Sequence, residues 1–243
     1  MDEYNLLLLI TIPVLFVLSL KIKAFSRAGA IASAAIGAII IMGGGWLYFV
    51  MLFLFLGLSY ISTLAGFERK SRRKLQEGIK GERGASSVLA AGLIPAASSL
   101  MILWGVNATD VFFLYMVALG VILADTAASE IGSLDDNTYM ILTLRPVETG
   151  VNGGISILGT AVSFFFPLLF SLIGFTIYGI SNFVALSSLS LFIVLTTVLS
   201  FAGSMFDSVL GETLENRGHI SKYGVNFLSA LFSFLVGLAI VFR

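Results

Sequence analysis

Two short acidic motifs carry the side chains best suited to chemistry in this 243-residue chain. The first reads Asp-Thr-Ala-Ala-Ser-Glu from Asp125 to Glu130, and the second reads Asp-Ser-Val-Leu-Gly-Glu from Asp207 to Glu212. Both place a small residue four positions after the aspartate, on the same face of a helix. Carboxylate oxygens suit Mg²⁺, which commonly bridges protein carboxylates and substrate phosphates. The motifs therefore predict a magnesium site made by Asp125 and Asp207.

The geometry of a helix limits which acidic residues can act together. Asp125 and Glu130 are about 140° apart around an ideal helix, so they face different directions unless the helix breaks. An ionised carboxylate at the end of a membrane helix costs several kcal/mol of hydration unless a cation or donor meets it. We expect Asp125 and Asp207 to converge on one ion. The alternative is that both anchor helix ends in water.

Basic and amide residues near the starts of other helices are candidate phosphate ligands. Arg83, Lys80 and Arg145 are candidates because guanidinium binds phosphate oxygens in a bidentate manner. Arg83 leads directly into a helix whose first free amides would attract an anion. Asn152 and Asn226 each follow a Gly-Val pair at a helix start. They would either contact phosphate or base, or act as N-caps.

Composition excludes several other classes of site. The chain has no cysteine, which excludes disulfides, thiol catalysis and iron–sulfur chemistry. Its single histidine, His219, excludes a multi-histidine metal site. The formal net charge of zero argues against nucleic-acid binding. Residues 81–84 lack the Gly-Lys-Ser/Thr ending of a phosphate-binding P-loop.

The elements that must position these residues are membrane helices. Hydrophobic residues make up 58% of the chain and charged residues 12%, against about 25% charged residues in soluble domains. A helix needs about 20 apolar residues to cross the hydrocarbon core. We predict an all-α fold, a polytopic transmembrane helical bundle of about eight helices that forms a single membrane domain over residues 1–243. The predicted helices are Tyr4–Leu20, Ala28–Gly44, Leu47–Ala65, Ser86–Gly105, Val111–Ala124, Gly154–Ile180, Phe183–Gly203 and Val225–Phe242.

The distribution of Lys and Arg predicts the orientation of the helices. The odd-numbered connections hold nearly all of these cations, whereas the even-numbered connections are short and hold none. Cytoplasmic loops of membrane proteins are enriched in Lys and Arg. We therefore expect a multi-pass protein of the cell membrane with both termini outside. The acidic motifs would then lie on the cytoplasmic face.

Similar short sequences in distant segments indicate internally repeated hairpins. Each acidic motif is followed by a polar loop and then by Gly-Val-Asn, at residues 150–152 and 224–226. Fainter matches occur before the second and fourth predicted helices. The possible repeat halves are residues 1–109 and 110–243. Matched hairpins share one orientation, as in a parallel repeat about an axis along the membrane normal.

Motifs along nearly the whole chain resemble those of one known family. It is a family of integral membrane proteins that includes the chloroplast phytyl-phosphate kinase and is distantly similar to the CTP-dependent phytol and dolichol kinases. The matching segments are residues 26–30, Gly37, 43–44, Arg83, 88–90, Gly92, 124–132, Gly150, 153–156, 159–160, 203–211 and 225–227.

The resemblance implies an enzyme that transfers a phosphoryl group from a nucleoside triphosphate, CTP in the family, to an isoprenoid monophosphate, giving the diphosphate. Asp125 and Asp207 would hold Mg²⁺ with support from Glu130, and Arg83 and Lys80 would grip phosphates. The residues that would orient the nucleotide or acceptor are Ser129, Asn152, Ser204, Ser208 and Asn226.

Two other functions use similar parts. A CTP-dependent lipid cytidylyltransferase would release pyrophosphate from the same metal and nucleotide site. A transporter or carrier of lipid phosphates would also have repeats and intramembrane carboxylates, but it predicts polar residues near mid-bilayer. We expect the carboxylates at helix ends on one side, which favours an enzyme. An oligomer is compatible with the sequence.

Overall fold

The computed structural model describes Ile12, Pro13, Phe16, Lys21, residues 25–72 and residues 83–243. Its long helices are α1 (Arg27–Leu64), α3 (Ala85–Leu100), α4 (Ala108–Gly132), α5 (Ile157–Asn182), α6 (Leu186–Leu210) and α7 (Lys222–Val241), and α2 (Phe67–Arg72) is short. A 3₁₀ turn, Met101–Trp104, extends α3, and a π-helical segment, Gly211–Glu215, extends α6. Strands β1 (Thr138–Met140), β2 (Pro146–Val147) and β3 (Gly154–Ile155) form an antiparallel sheet in the order β2-β1-β3.

Helix α1 is two antiparallel segments joined at Gly45. This residue has φ 75° and ψ −161°, a conformation that breaks the helix and that glycine adopts without strain. A Cβ placed on Gly37 would lie 3.5 Å from Cε2 of Phe49, although twelve residues of straight helix span about 18 Å. The chain therefore reverses at Gly45, and we name the two segments α1a (residues 27–44) and α1b (residues 46–64).

The all-α polytopic architecture is confirmed, with a different helix count. Among the described residues, six helices are long and apolar enough to cross a membrane, against about eight predicted. One difference is α1, which counts as one helix although its segments α1a and α1b correspond to the predicted helices Ala28–Gly44 and Leu47–Ala65. The other is the predicted Tyr4–Leu20, most of which lies outside the described residues.

Helix α4 is the centre of the bundle. Its side chains from Val111 to Ala124 are almost completely buried, and the helix packs against α1, α3, α5, α6 and α7. A helix that is apolar all round is stable in such a central position. Its predicted end at Ala124 is wrong: the helix continues through Thr126-Ala-Ala-Ser to Gly132. Asp125 therefore lies about 10 Å before the helix terminus, at 1.5 Å per residue, and not at the end.

Glycines allow the helices around α4 to approach closely. A Cβ on Gly120 would overlap Oγ of Ser200 on α6, and one on Gly203 would lie 2.6 Å from Cγ2 of Val121. Membrane helices gain packing energy from such small-residue contacts, because lipid tails are as apolar as the side chains they replace. The α4–α6 contact therefore depends on glycine in both helices.

The connections predicted to be cytoplasmic gather at one end of the bundle, which we call the polar end: α1a, α3, α5 and α7 begin there, and α1b, α4 and α6 end there. Thr63 near the end of α1b contacts Glu130 near the end of α4. At the opposite end, Oγ1 of Thr109 lies 2.9 Å from the Tyr178 hydroxyl. The bundle thus separates a polar end from an end with short connections.

Overpacking the α4–α6 contact should destabilise the protein. Gly203→Ala would press a methyl group against Val121, at a cost of about 1–3 kcal/mol, seen as a lower thermal unfolding midpoint in lipid nanodiscs. Gly57→Ala is the matched control, because no atom lies within 4 Å of the added Cβ. An equal or higher midpoint for Gly203→Ala would contradict the close packing.

Candidate functional site

A cavity of ≈ 200 Å³ lies at the polar end. Its walls are the last turns of α4 and α6, the first turns of α5 and α7, and the connection between α4 and α5, which we call the sheet loop (residues 133–156). The sequence-predicted residues that line it are Asp125, Ser129, Asn152, Asp207, Ser208 and Asn226. These residues come from four separate segments of the chain, so the structure brings together most of the predicted site.

The centre of the cavity is a pair of carboxylates from different helices. The side chain of Asp207 on α6 lies against those of Asp125 on α4 and Ser229 on α7. The Ser229 hydroxyl donates to the Val225 carbonyl at 2.9 Å, and a hydroxyl has only one proton to donate. Oδ2 of Asp207 is buried and accepts no hydrogen bond from a described protein group. Two adjacent carboxylates with an unsatisfied buried oxygen are an arrangement that a cation would stabilise.

The donor set fits a magnesium ion that also binds phosphate. No group of three or more Asp, Glu or His side chains suited to hold a metal occurs in the part of the chain that the structure describes. Mg²⁺ usually takes one or two carboxylates and completes its shell with water and substrate phosphates. Asp125 and Asp207 supply that number of carboxylates.

Two helices begin at the cavity, close to the carboxylates. Helix α5 begins at the N-cap Ser156, whose Oγ accepts from the Gly159 amide at 3.0 Å, and Ser156 and Thr160 line the cavity. Helix α7 begins at the N-cap Ser221, and Lys222 and Asn226 of this helix line the cavity. The positive end of a helix dipole attracts anions. The cavity therefore combines the carboxylates of its acidic side with groups of positive potential.

The alternative that Asn152 and Asn226 are N-caps is wrong. Ser156 and Ser221 fill those positions, since their hydroxyl groups accept from the amides of Gly159 and Gly224. Both asparagines line the cavity. However, Asn152 lies in the sheet loop before β3, whereas Asn226 lies within α7. Their matching Gly-Val-Asn strings therefore adopt different local structures.

The sheet loop is held over the cavity by the end of α6. The amide of Leu142 donates to Oε2 of Glu212 at 2.8 Å, and Nδ2 of Asn216 donates to the Asn152 carbonyl at 2.9 Å. Gly153, with φ 78°, fits against the backbone of Glu212, where a Cβ would lie 2.6 Å from its nitrogen. These contacts position Asn152 at the cavity.

The π-helical segment aligns three residues of α6 with the cavity. Asp207, Gly211 and Glu215 are spaced by four residues and all line it. In a regular α-helix, residues eight positions apart do not lie on the same face. The wider i→i+5 turn of Gly211–Glu215 reduces the rotation per residue, so that Glu215 lies on the same face as Asp207. Single π turns often occur at functional sites. Here the segment adds a third carboxylate to the acidic side.

Four predicted site residues that the structure describes are not in the cavity wall: Glu130, Arg83, Arg145 and Ser204. Oε1 of Glu130 accepts from Thr63 Oγ1 at 3.3 Å, on the side of α4 that faces α1b, which confirms that Glu130 and Asp125 point in different directions. Arg83 bridges to Phe25 through its backbone, between the starts of α1 and α3. Arg145 is exposed just before β2, and Ser204 is buried one turn above Ser208. Lys80 lies outside the described residues. The roles assigned to these five residues stay predictions.

Several polar residues in the cavity wall were not predicted. Lys222 is the one cationic side chain among the described residues that line the cavity, and its position four residues before Asn226 places both on one face of α7. That spacing could have identified it. Thr138 and Thr149 also line the cavity, with hydroxyl oxygens 3.3 Å apart. Their proximity depends on pairing of β1 with β2, and strands of two or three residues leave no periodic signal.

Removal of the Glu212 carboxylate should loosen the sheet loop. In Glu212→Ala the Leu142 amide loses a charged acceptor, a bond of about 1.5–3 kcal/mol, so its hydrogen exchange should be at least about tenfold faster. Hydrogen–deuterium exchange measured by mass spectrometry across residues 138–155 reports this change. Glu148→Ala, which removes an exposed carboxylate of the same loop, is the control. Unchanged protection in Glu212→Ala would show that the contact does not hold the loop.

Comparison with known proteins finds related sequences but no related solved structure. An uncharacterized membrane protein of Methanocaldococcus jannaschii is 28% identical over 237 residues, which cover 96% of this chain and 94% of the relative. An uncharacterized membrane protein of Synechocystis is 28% identical over 185 residues, 75% of this chain and 69% of the relative. Protein PGR of Arabidopsis thaliana is 32% identical over 147 residues, 49% of this chain and 51% of that protein. No solved structure matches the chain.

A family profile covers almost the whole bundle. Residues 10–234 match the profile of the integral membrane proteins DUF92. This range includes every residue of the cavity wall and every described helix except the last two turns of α7, which ends at Val241. The multi-pass membrane architecture and the family assignment therefore agree. The chain belongs to the DUF92 family of integral membrane proteins.

Proposed function

We propose that this protein is a membrane-embedded kinase that transfers a phosphoryl group from a nucleoside triphosphate, CTP by family resemblance, to an isoprenoid monophosphate. The observation that carries the proposal is a cavity that combines carboxylates with cationic and helix N-terminal groups. It contains the Asp125–Asp207 pair, in which one buried oxygen accepts no hydrogen bond from a described group. It also contains residues from the starts of α5 and α7, including Lys222. Metal ions and phosphates need these two environments next to each other.

Asp125 and Asp207 would hold the magnesium ion, which would neutralise charge on the phosphates when bound. The chain's other residues would position the substrates. The positive end of the α5 dipole and the Lys222 ammonium would attract phosphate oxygens. Asn152, Asn226 and the hydroxyls of Ser129 and Ser208 would orient the nucleotide or the acceptor.

The proposed reaction needs no general base in the cavity. An isoprenoid monophosphate is largely ionised at neutral pH, since the second pKa of a phosphate monoester is about 6. One of its oxygens attacks the terminal phosphorus of the nucleotide, the bond to the bridging oxygen breaks, and a nucleoside diphosphate leaves. Catalysis then consists mainly of positioning and charge neutralisation. The polar residues of the wall are suited to both.

The packing next to the carboxylate pair supports an enzyme over a carrier. Asp125 lies deeper than expected, which by itself would suit a transport site. However, Gly120 and Val121, one turn toward the opposite end, pack directly against Ser200 and Gly203 of α6. The α4–α6 interface is therefore filled just beyond the pair. A closed-ended cavity that opens at the polar end suits a reaction between a soluble nucleotide and a lipid headgroup.

Loss of either central carboxylate should abolish turnover. Purified protein in nanodiscs would be assayed with CTP, ATP, GTP and UTP against farnesyl, geranylgeranyl and phytyl monophosphates, with and without Mg²⁺. We expect Asp125→Asn and Asp207→Asn each to lower kcat at least about 100-fold, because each substitution removes a group that stabilises charge in the transition state. Asp110→Asn is the control, because Asp110 lies on the same helix at the opposite end. Full turnover by both cavity variants would remove the proposed metal site.

The products of the same assay separate the competing functions. A kinase gives a nucleoside diphosphate and a prenyl diphosphate in equal amounts. A cytidylyltransferase gives pyrophosphate and a CDP-activated lipid. A carrier consumes no nucleotide, and only the movement of lipid phosphate between leaflets would report its activity. Pyrophosphate release or the absence of nucleotide turnover would each contradict the kinase.

Lys222 should contribute to nucleotide affinity. Replacement by Met keeps an unbranched side chain but removes the charge. The Kd for the magnesium–nucleotide complex should therefore rise about tenfold. This change corresponds to the loss of one charge-assisted hydrogen bond worth about 1.4 kcal/mol. Isothermal titration calorimetry measures this change. Arg217→Met removes an exposed cation outside the cavity wall and should leave the affinity unchanged. A Lys222→Met protein with normal affinity would exclude a role for this ammonium.

A further inference from the structure

The turn between β1 and β2 exposes apolar side chains at the polar end of the bundle. Leu142 is 54% exposed and Leu144 is 67% exposed, and Arg145, also exposed, follows them. The backbone around them is ordered by hydrogen bonds. The Leu144 amide donates to the Met140 carbonyl at 2.9 Å, and the Met140 amide donates to the Arg145 carbonyl at 3.0 Å. The exposed leucines therefore sit on a firmly folded turn, which we call the leucine turn (residues 141–145).

The backbone conformation of residue 144 does not favour a leucine. Leu144 has φ 52°, in the left-handed region where Gly and Asn are usual and bulky side chains are rare. The leucine adds strain without filling the protein interior. Its side chain is therefore better explained by a contact outside the chain.

We propose that the leucine turn is an interfacial anchor, with Leu142 and Leu144 inserted into the headgroup–acyl boundary of the protein's own bilayer and Arg145 paired with anionic lipid headgroups. The combination of exposed leucines and an adjacent cation is that of segments that lie in the membrane interface. Arginine extends its charged end to the phosphates while its aliphatic stem stays on the apolar side.

The start of α5 is a second exposed apolar surface at the polar end. Ile157, the first residue of α5, is 84% exposed, and Leu158 is 37% exposed. Both belong to a helix that is long and apolar enough to cross the membrane. The sheet loop leads directly into this helix, with β3 ending two residues before Ile157. Lipid would therefore border the loop where it joins α5, and the leucine turn lies at the other end of the same short β1–β3 ladder.

The anchor would fix the height of the cavity mouth relative to the bilayer. The Leu142 amide is bound by Glu212, and strands β1 and β3 carry Thr138 and Gly154, which line the cavity. Contact of the turn with lipid would hold these strands at the level of the headgroups. A lipid phosphate could then reach the cavity without leaving the interface. The anchor itself does not depend on the proposed reaction.

Site-directed spin labelling tests the insertion directly. Because the chain has no cysteine, Leu142→Cys and Leu144→Cys each label at one position with a nitroxide. In vesicles of phosphatidylcholine with 30% phosphatidylglycerol, power saturation compares collisions with oxygen, which partitions into lipid, and with a water-soluble nickel chelate. We expect oxygen collisions to exceed nickel collisions severalfold at both positions. His219→Cys, in the exposed turn between α6 and α7, should show the reverse.

The charge of Arg145 provides a second readout. Adding Arg145→Glu to Leu144→Cys should lower the ratio of oxygen to nickel collisions, and more strongly in the anionic vesicles than in pure phosphatidylcholine. If the labels at residues 142 and 144 match the label at residue 219, the anchor is overturned, because the turn is then in water. An anchored turn in a protein without kinase activity would overturn only the proposed function. Elution of each variant as the wild-type species on size exclusion confirms its fold.

Discussion

The structure of this protein depends on how two adjacent carboxylates are tolerated inside an apolar helical bundle. Asp125 and Asp207 follow stretches of α4 and α6 that are buried or lipid-facing, where an uncompensated charge is costly. The surrounding elements reduce this cost in a consistent way. Two helices present their positive N-termini to the same cavity, and Lys222 extends into it from one of them. Oδ2 of Asp207 accepts no hydrogen bond from a described group, and in the proposed function a cation that arrives with the substrate would compensate it.

This constraint also explains the irregular structure at the polar end. An α-helical continuation of α6 would turn Glu215 away from the face that carries Asp207, and the π-helical segment keeps it there. The same segment presents Glu212 and Asn216 to the sheet loop, which forms one wall of the cavity. The backbone irregularity therefore serves two purposes: it adds an acidic residue to the site and fastens the loop that covers it.

A reaction between a water-soluble nucleotide and a lipid phosphate must take place where both can be present. The cavity would meet this requirement, because it lies at the end of a bundle of membrane-spanning helices, where water and lipid headgroups meet. The exposed leucines beside the mouth are consistent with a rim held at the interface. The position of Asp125 well before the end of its helix would, in the proposed reaction, help to exclude water that would compete with the lipid as phosphoryl acceptor.

The sequence by itself determined the membrane class, most helix positions and the convergence of Asp125 with Asp207. These features follow from local physics: apolar runs long enough to span a bilayer and matching acidic motifs on related helices. Helical geometry also predicted that Glu130 would point away from Asp125. Only the tertiary structure decided that α4 is central and continues past Asp125, because a helix that is apolar all round has no face that indicates its neighbours. It likewise decided that Glu215, Lys222, Thr138 and Thr149 join the cavity wall while Arg83 does not, since those positions depend on a π turn, very short strands and helix packing between residues far apart in the chain.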